Sequence, residues 1–157
     1  MTVTTMKTIN TTLKLITYGK GNKFDPRKFQ PVKNATFIKP DGGLWASPVN
    51  SAYGWRDWCE AEEFGDLKTH FVFTFTGNIY RIDSIEDANR MPRIKLNSGI
   101  GSITSVYPNF EQMAKNGIDA IWLTVNGQAQ ARFSGPINLY GWDCESVLIM
   151  NRNCIVV

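Results

Sequence analysis

The stretch His70-Phe71-Val72-Phe73-Thr74-Phe75-Thr76 decides the reading of the fold. Phe71, Phe73 and Phe75 alternate with Val72, Thr74 and Thr76, and a period of two puts the three rings on one face of a strand. The strand region runs from Thr69 to Ile82, with Gly77-Asn78 read as a turn before Ile79-Tyr80-Arg81-Ile82. Towards the N-terminus, Leu13 to Tyr18 alternates in part and stops at Gly19, which reads as a second strand. A long loop follows from Lys20 to Pro40, punctuated by Gly21, Pro26, Pro31 and Pro40, and loops of that length in small domains are often functional. Leu44-Trp45-Ala46-Ser47 reads as a short strand behind Gly42 and Gly43. Ser51 to Phe64 reads as a helix with Asn50 or Ser51 as its N-cap and Gly65 as its stop.

Towards the C-terminus, Ser84 to Asn89 reads as a short helix and Pro108 to Asn116 as another, ending at Gly117. The strand Ile118–Val125 comes next, and then a polar stretch. The chain closes with a strand over Ser146–Met150, a tight turn at Asn151-Arg152-Asn153 and the start of a strand at Cys154–Val157. Strands outnumber helices and no regular βαβ alternation appears, which predicts an α+β fold.

At 157 residues, 43% apolar and 20% charged, the chain has the size and composition of one globular domain, expected over residues 1–157 with 1–11 loosely held. No apolar run approaches the roughly 18 residues that cross a bilayer, so no membrane association is expected. Cys59, Cys144 and Cys154 are odd in number and lack CxxC spacing; they are expected as buried free thiols, in a reducing cytoplasm and without a metal site. The net charge is +3, too weak to indicate nucleic acid, but it is unevenly placed. Lys14, Lys20, Lys23, Arg27, Lys28, Lys33 and Lys39 stand against Asp25 alone before Asp41, either as a solvated loop or as a positive rim for a phosphorylated ligand.

His70 is the single histidine, which excludes most Ser-His-Asp, Cys-His and His-rich metal sites. No P-loop, GxGxxG or HExxH occurs. What remains is a glycine-flanked aromatic, a basic loop and carboxylates near the C-terminus. Such a set suffices for a substrate that carries its own leaving group, as NAD carries nicotinamide. A carboxylate then stabilises the oxocarbenium ion and an aromatic face stacks the ring.

Gly43-Leu44-Trp45-Ala46-Ser47 and the aromatic-rich helix after it resemble the Gly-(Ile/Leu)-Tyr-Phe-(Ala/Ser) strand and helix of poly(ADP-ribose) polymerase-like ADP-ribosyltransferases. Met113 to Ile121 resembles the family's helix-to-strand step. Glu145-Ser146-Val147-Leu148-Ile149-Met150-Asn151 is similar to its late strand, and Leu15 to Lys20 stands in the place of its first. The resemblance implies a divergent ADP-ribosyltransferase-like split β-sheet core with few short helices. It implies NAD as substrate, held by Thr17, Tyr18, Gly19, Gly43, Leu44, Trp45, Ser47 and Tyr53, with Glu145 as the catalytic acid.

By analogy, such a small transferase suits a phage or mobile-element effector acting on a macromolecular acceptor, a protein rather than nucleic acid. The family's first-strand histidine is absent, and its place falls to Thr17 or Tyr18. Anchoring the late strand on Asn151 puts Ser146 in the glutamate's position, with Glu145 one residue away and Asp143 further off; a one-residue slip in a strand changes the face. Three readings stay open: a mono-ADP-ribosyltransferase, an inert module of the same fold that binds a nucleotide or a partner protein, and a structural domain with its aromatics in the core.

Overall fold

Alternation in Ile9–Tyr18 builds the first strand, β1, which turns Leu13, Leu15 and Thr17 to one face. In this computed structural model, residues 7–35, 39–97, 104–134, 137, 139 and 141–157 are described. Ile9, Asn10 and Thr11, expected to be loose, instead pair with Ile79, Asn78 and Gly77 of the long strand β3, His70–Ile82. Of the rest of the expected loose segment, residues 1–6 lie outside the described residues.

The α+β expectation holds, and the strands close into a ring. β1 joins β2 (Leu44–Pro48), β2 joins β7 (Ser146–Ile149) and β7 joins β6 (Ala120–Leu123), all antiparallel; β6 then returns to β3 in parallel. Leu15, Phe73, Phe75, Ile79, Ala120, Val147 and Ile149 fill the interior. The opposite face of β6 and β7 carries Ile121, Leu123 and Leu148. It packs with residues of the short helices α2 (Ile85–Asn89), α3 (Phe110–Lys115) and α4 (Val125–Ala131), together with Trp142. A two-residue strand β8 (Ile155–Val156) lies on β3, and β4 (Arg93–Asn97) pairs with β5 (Thr104–Pro108) in a separate ribbon.

Gly77-Asn78 is not a turn, for β3 runs straight through it. At this point the far edge of β3 changes partner, from β8 at Thr74 and Phe75 to β6 at Ile79. Asp119 fills the gap: its Oδ2 accepts from the Asn78 amide at 2.8 Å, and its own amide donates to the Asn78 carbonyl. A Cβ on Gly77 would lie 2.7 Å from that carboxylate oxygen. The helix α1 spans Trp55–Glu62, starting later than expected. Its N-cap is Gly54 rather than Asn50 or Ser51, because Ser47 Oγ accepts from the Trp55 amide and Asp57 reaches back to the Gly54 amide.

Val125, expected to end a strand, instead opens α4, which takes in the polar stretch after it and is capped by Thr124. Gly127 is required there by packing, since a Cβ would meet the Ile82 carbonyl oxygen at 2.1 Å. Gly127→Ala is expected to destabilise the fold by about 1–3 kcal/mol, read from chemical unfolding midpoints, despite alanine's better helix propensity.

Candidate functional site

The ladder between β1 and β2 is two pairs long, Leu15↔Pro48 and Ile16↔Ser47. Beyond it the strands part. Thr17 Oγ1 donates to the Trp45 carbonyl at 2.6 Å in place of a backbone bond, while β1 stays paired with β3 as far as Tyr18↔His70. The parting opens a cleft of about 240 Å³ lined by Thr17, Tyr18, Lys20, Lys39, Trp45, Ser47, Trp55, Asp143 and Ser146. Four of the expected ligand residues, Thr17, Tyr18, Trp45 and Ser47, therefore share one wall system. Gly43 and Leu44 line two adjoining grooves that both meet the cleft at Lys20 and reach Lys28; Gly19 lines one of them and Lys33 the other. Tyr53 lines none of these; its carbonyl accepts from the Glu145 amide at 3.0 Å.

Each of these residues also carries structural work. Ser47 Oγ donates to the Glu145 carbonyl at 2.8 Å as well as capping α1, so its hydroxyl proton is committed. Gly43, at φ +69°, approaches Leu148 and the Ile149 carbonyl, and Gly42, at φ +78°, approaches the Pro31 carbonyl. The glycine pair serves close packing of backbone on backbone rather than on a ligand. Trp45 sets its ring edge against Trp142, with centroids 4.7 Å apart, and leaves part of its surface in the cleft. Trp55 and Trp58 are half-buried and stacked at 5.2 Å, and Trp55 lines the cleft.

Glu145 is placed elsewhere. On β7 the alternation sends Val147 and Ile149 into the barrel, and Glu145 shares their side, while Leu148 and Ser146 share the side of Trp45. Its carboxylate accepts from Trp122 Nε1 at 2.9 Å and from Ser51 Oγ at 2.5 Å, at the bottom of a separate groove of about 600 Å³ that also holds Lys14, Arg81 and Asp83. Ser146 occupies the cleft side and donates to the Cys144 carbonyl at 2.9 Å. Asp143 is the acid on the cleft wall, and it is ion-paired with Arg132 at 3.0 Å. The arrangement expected from the resemblance, with Glu145 facing Trp45, does not form, because the strand's parity turns the glutamate to the other face.

Burial disfavours the thiolate form of all three cysteines. Burial pushes both Cys144 and Cys154 up to about 11 and raises Cys59 as well. His70 is exposed at the end of β3, its ring 5.7 Å from that of Tyr18. Among the described residues no group of three or more His, Cys, Asp or Glu side chains is placed to hold a metal ion, and no helix is long and apolar enough to cross a membrane.

The sequence singles out neither Lys39 on the cleft wall nor Trp142 behind the Trp45 ring. Lys39 is one of several lysines in the long loop, and nothing in its neighbours signals that the ammonium lies 5.4 Å from the Trp45 ring centroid and 5.9 Å from that of Trp55. Compared with models of protein families, with curated proteins and with solved structures, the chain matches none.

Proposed function

We propose that this protein is an ADP-ribosyltransferase-like module that binds a nucleotide in the cleft between β1 and β2 and leaves it uncleaved. The observation that carries this reading is the parity of β7, which gives the cleft Ser146 and gives Glu145 to the opposite groove. Support for the family likeness comes from adjacency: β1, β2 and β7, three of the strands on which the resemblance rests, lie side by side. Support for a nucleotide comes from chemistry. Two indoles offer stacking faces, and the cleft runs at Lys20 into a groove where Lys20, Lys28 and Lys33 outnumber Asp41 and Glu111, which leaves a positive balance towards phosphates. The cleft is smaller than the roughly 300–1,000 Å³ of a pocket for a drug-sized molecule, so it takes one ring with its sugar while the remainder follows the groove.

Cleavage of the nicotinamide bond needs a carboxylate beside the ribose to stabilise the developing cation. One observation favours the transferase reading: Asp143 stands on the cleft wall. Its ion pair with Arg132 spends that charge on a neighbour.

The test is calorimetric titration with NAD and ADP-ribose beside a nicotinamide-release assay, using the wild type, Glu145→Gln and Asp143→Asn, with and without a lysate as acceptor. The expected result is binding of both ligands, no release, and an affinity for NAD that Glu145→Gln leaves within about twofold, below the tenfold that 1.4 kcal/mol would give. Release that disappears in either carboxylate variant would overturn inertness and restore the enzyme. Absence of any binding would overturn the nucleotide reading.

A further inference from the structure

The cleft already holds a cation of its own. Lys39 is half-buried, and its Nζ lies over both Trp45 and Trp55, each within the roughly 6 Å at which an ammonium is held by an aromatic face. Both indoles and Lys39 line the same cleft, so the ammonium sits where an incoming ring would stack. Among the described residues no carboxylate pairs with Lys39. The two indole faces are therefore what holds it.

An electron-rich pair that retains a lysine favours a positively charged ring over a neutral one, because the same ring quadrupole acts on both cations. The lysine and such a ring exclude one another by volume and by charge. We propose, resting on the nucleotide reading above, that Lys39 is an internal occupant of the cleft. A ligand bearing a cationic aromatic ring displaces it, and the site thereby distinguishes oxidised nicotinamide, a pyridinium, from the neutral reduced ring. Lys39 sets the threshold for binding: its contacts with Trp45 and Trp55 are lost before the ligand's own are gained. A nucleotide without a ring at that end has no reason to displace it.

The experiment is calorimetric titration of the wild type, Lys39→Met, Lys39→Ala and Lys39→Arg with NAD, NADH and ADP-ribose, after thermal melts show that all four fold alike. Wild type is expected to bind NAD at least about fivefold tighter than NADH, about the 1 kcal/mol of an ordinary cation–π contact. Lys39→Met and Lys39→Ala are expected to tighten NAD by about 2- to 30-fold while leaving ADP-ribose within about twofold. Lys39→Arg keeps a cation over the indoles and stays near wild type. Weaker NAD binding in both neutral variants would overturn the proposal and make Lys39 a phosphate ligand. Equal binding of NAD and NADH, or no change on neutralising Lys39, would overturn it too, with the nucleotide reading intact because ADP-ribose still binds. If no protein binds any of the three ligands, the nucleotide reading and the proposal fall together.

Discussion

Trp142→Ala is expected to lower stability by about 3–5 kcal/mol, which for a domain of this size lowers the melting temperature by roughly 6 to 20 °C. Trp142 is 1% exposed, the largest fully buried side chain of the described residues. It stands between Phe110, stacked at 6.4 Å, and the ring of Trp45. Removing it opens a cavity at the join of α3, the strand face of β7 and the back of the cleft, where the closed ring cannot collapse around the hole. The loss has a second effect. Trp45 keeps its orientation by the edge contact with Trp142, so nucleotide affinity falls in the variant even at temperatures where it is fully folded. Trp142→Phe keeps a ring in place and loses much less of both. Circular dichroism melts and calorimetric titration read the two effects separately; a variant melting within about 2 °C of wild type would remove Trp142 from the core, since that shift corresponds to about 1 kcal/mol or less.

How much of this was legible in the sequence depends on what each feature rests upon. The phenylalanines of β3 were legible because a period of two in a run of β-prone residues reports a face directly, and Phe71, Phe73 and Phe75 are indeed buried. The helix α4 was not, because Asn126 and Gly127 are poor helix formers. There the propensity is overridden by the Thr124 cap and by the close approach of Gly127 to the Ile82 carbonyl, which only the folded chain supplies. Gly77-Asn78 looked like a turn since the composition of a turn and of a crowded strand crossing is the same. What tells them apart is Asp119, distant in sequence and bonded across the gap.

The candidate site divides along the same line. Thr17, Tyr18, Trp45 and Ser47 were grouped by the family resemblance, on two strands that were readable from their pattern and flanking glycines, and they do line one cleft. The parity of Glu145 and Ser146 was visible only as a choice between two registers. The pairing that settles it, Trp45↔Leu148 with Leu148↔Ile121, is a tertiary fact. The ring closure that brings β2 beside β7 is likewise invisible to local periodicity, as is the two-pair ladder that lets β1 and β2 part.

Trp45→Ala is expected to weaken nucleotide binding by about 5- to 150-fold, the effect of removing one aromatic stacking platform of 1–3 kcal/mol. Its cost to the fold is smaller than that of Trp142→Ala, because the ring is only partly buried and the space it leaves opens to solvent. The strand itself survives, since β2 is held by backbone pairing to β7 and by the Thr17 hydroxyl on the Trp45 carbonyl, which alanine retains. Trp45→Phe keeps a smaller face and falls between.

The decisive comparison is with the other wall of the sheet. Trp122 lies in the Glu145 groove, its N–H on the carboxylate and the Arg81 guanidinium 5.0 Å from its ring. Trp122→Phe is therefore expected to cost some stability and leave NAD and ADP-ribose binding within about twofold, while Trp45→Ala loses it. The reverse pattern, with binding lost at Trp122 and kept at Trp45, would move the ligand to the groove where the glutamate lies and would make Glu145 a catalytic candidate again. Titration of the two variants side by side decides whether a nucleotide is held at the cleft of Trp45 or at the groove of Glu145.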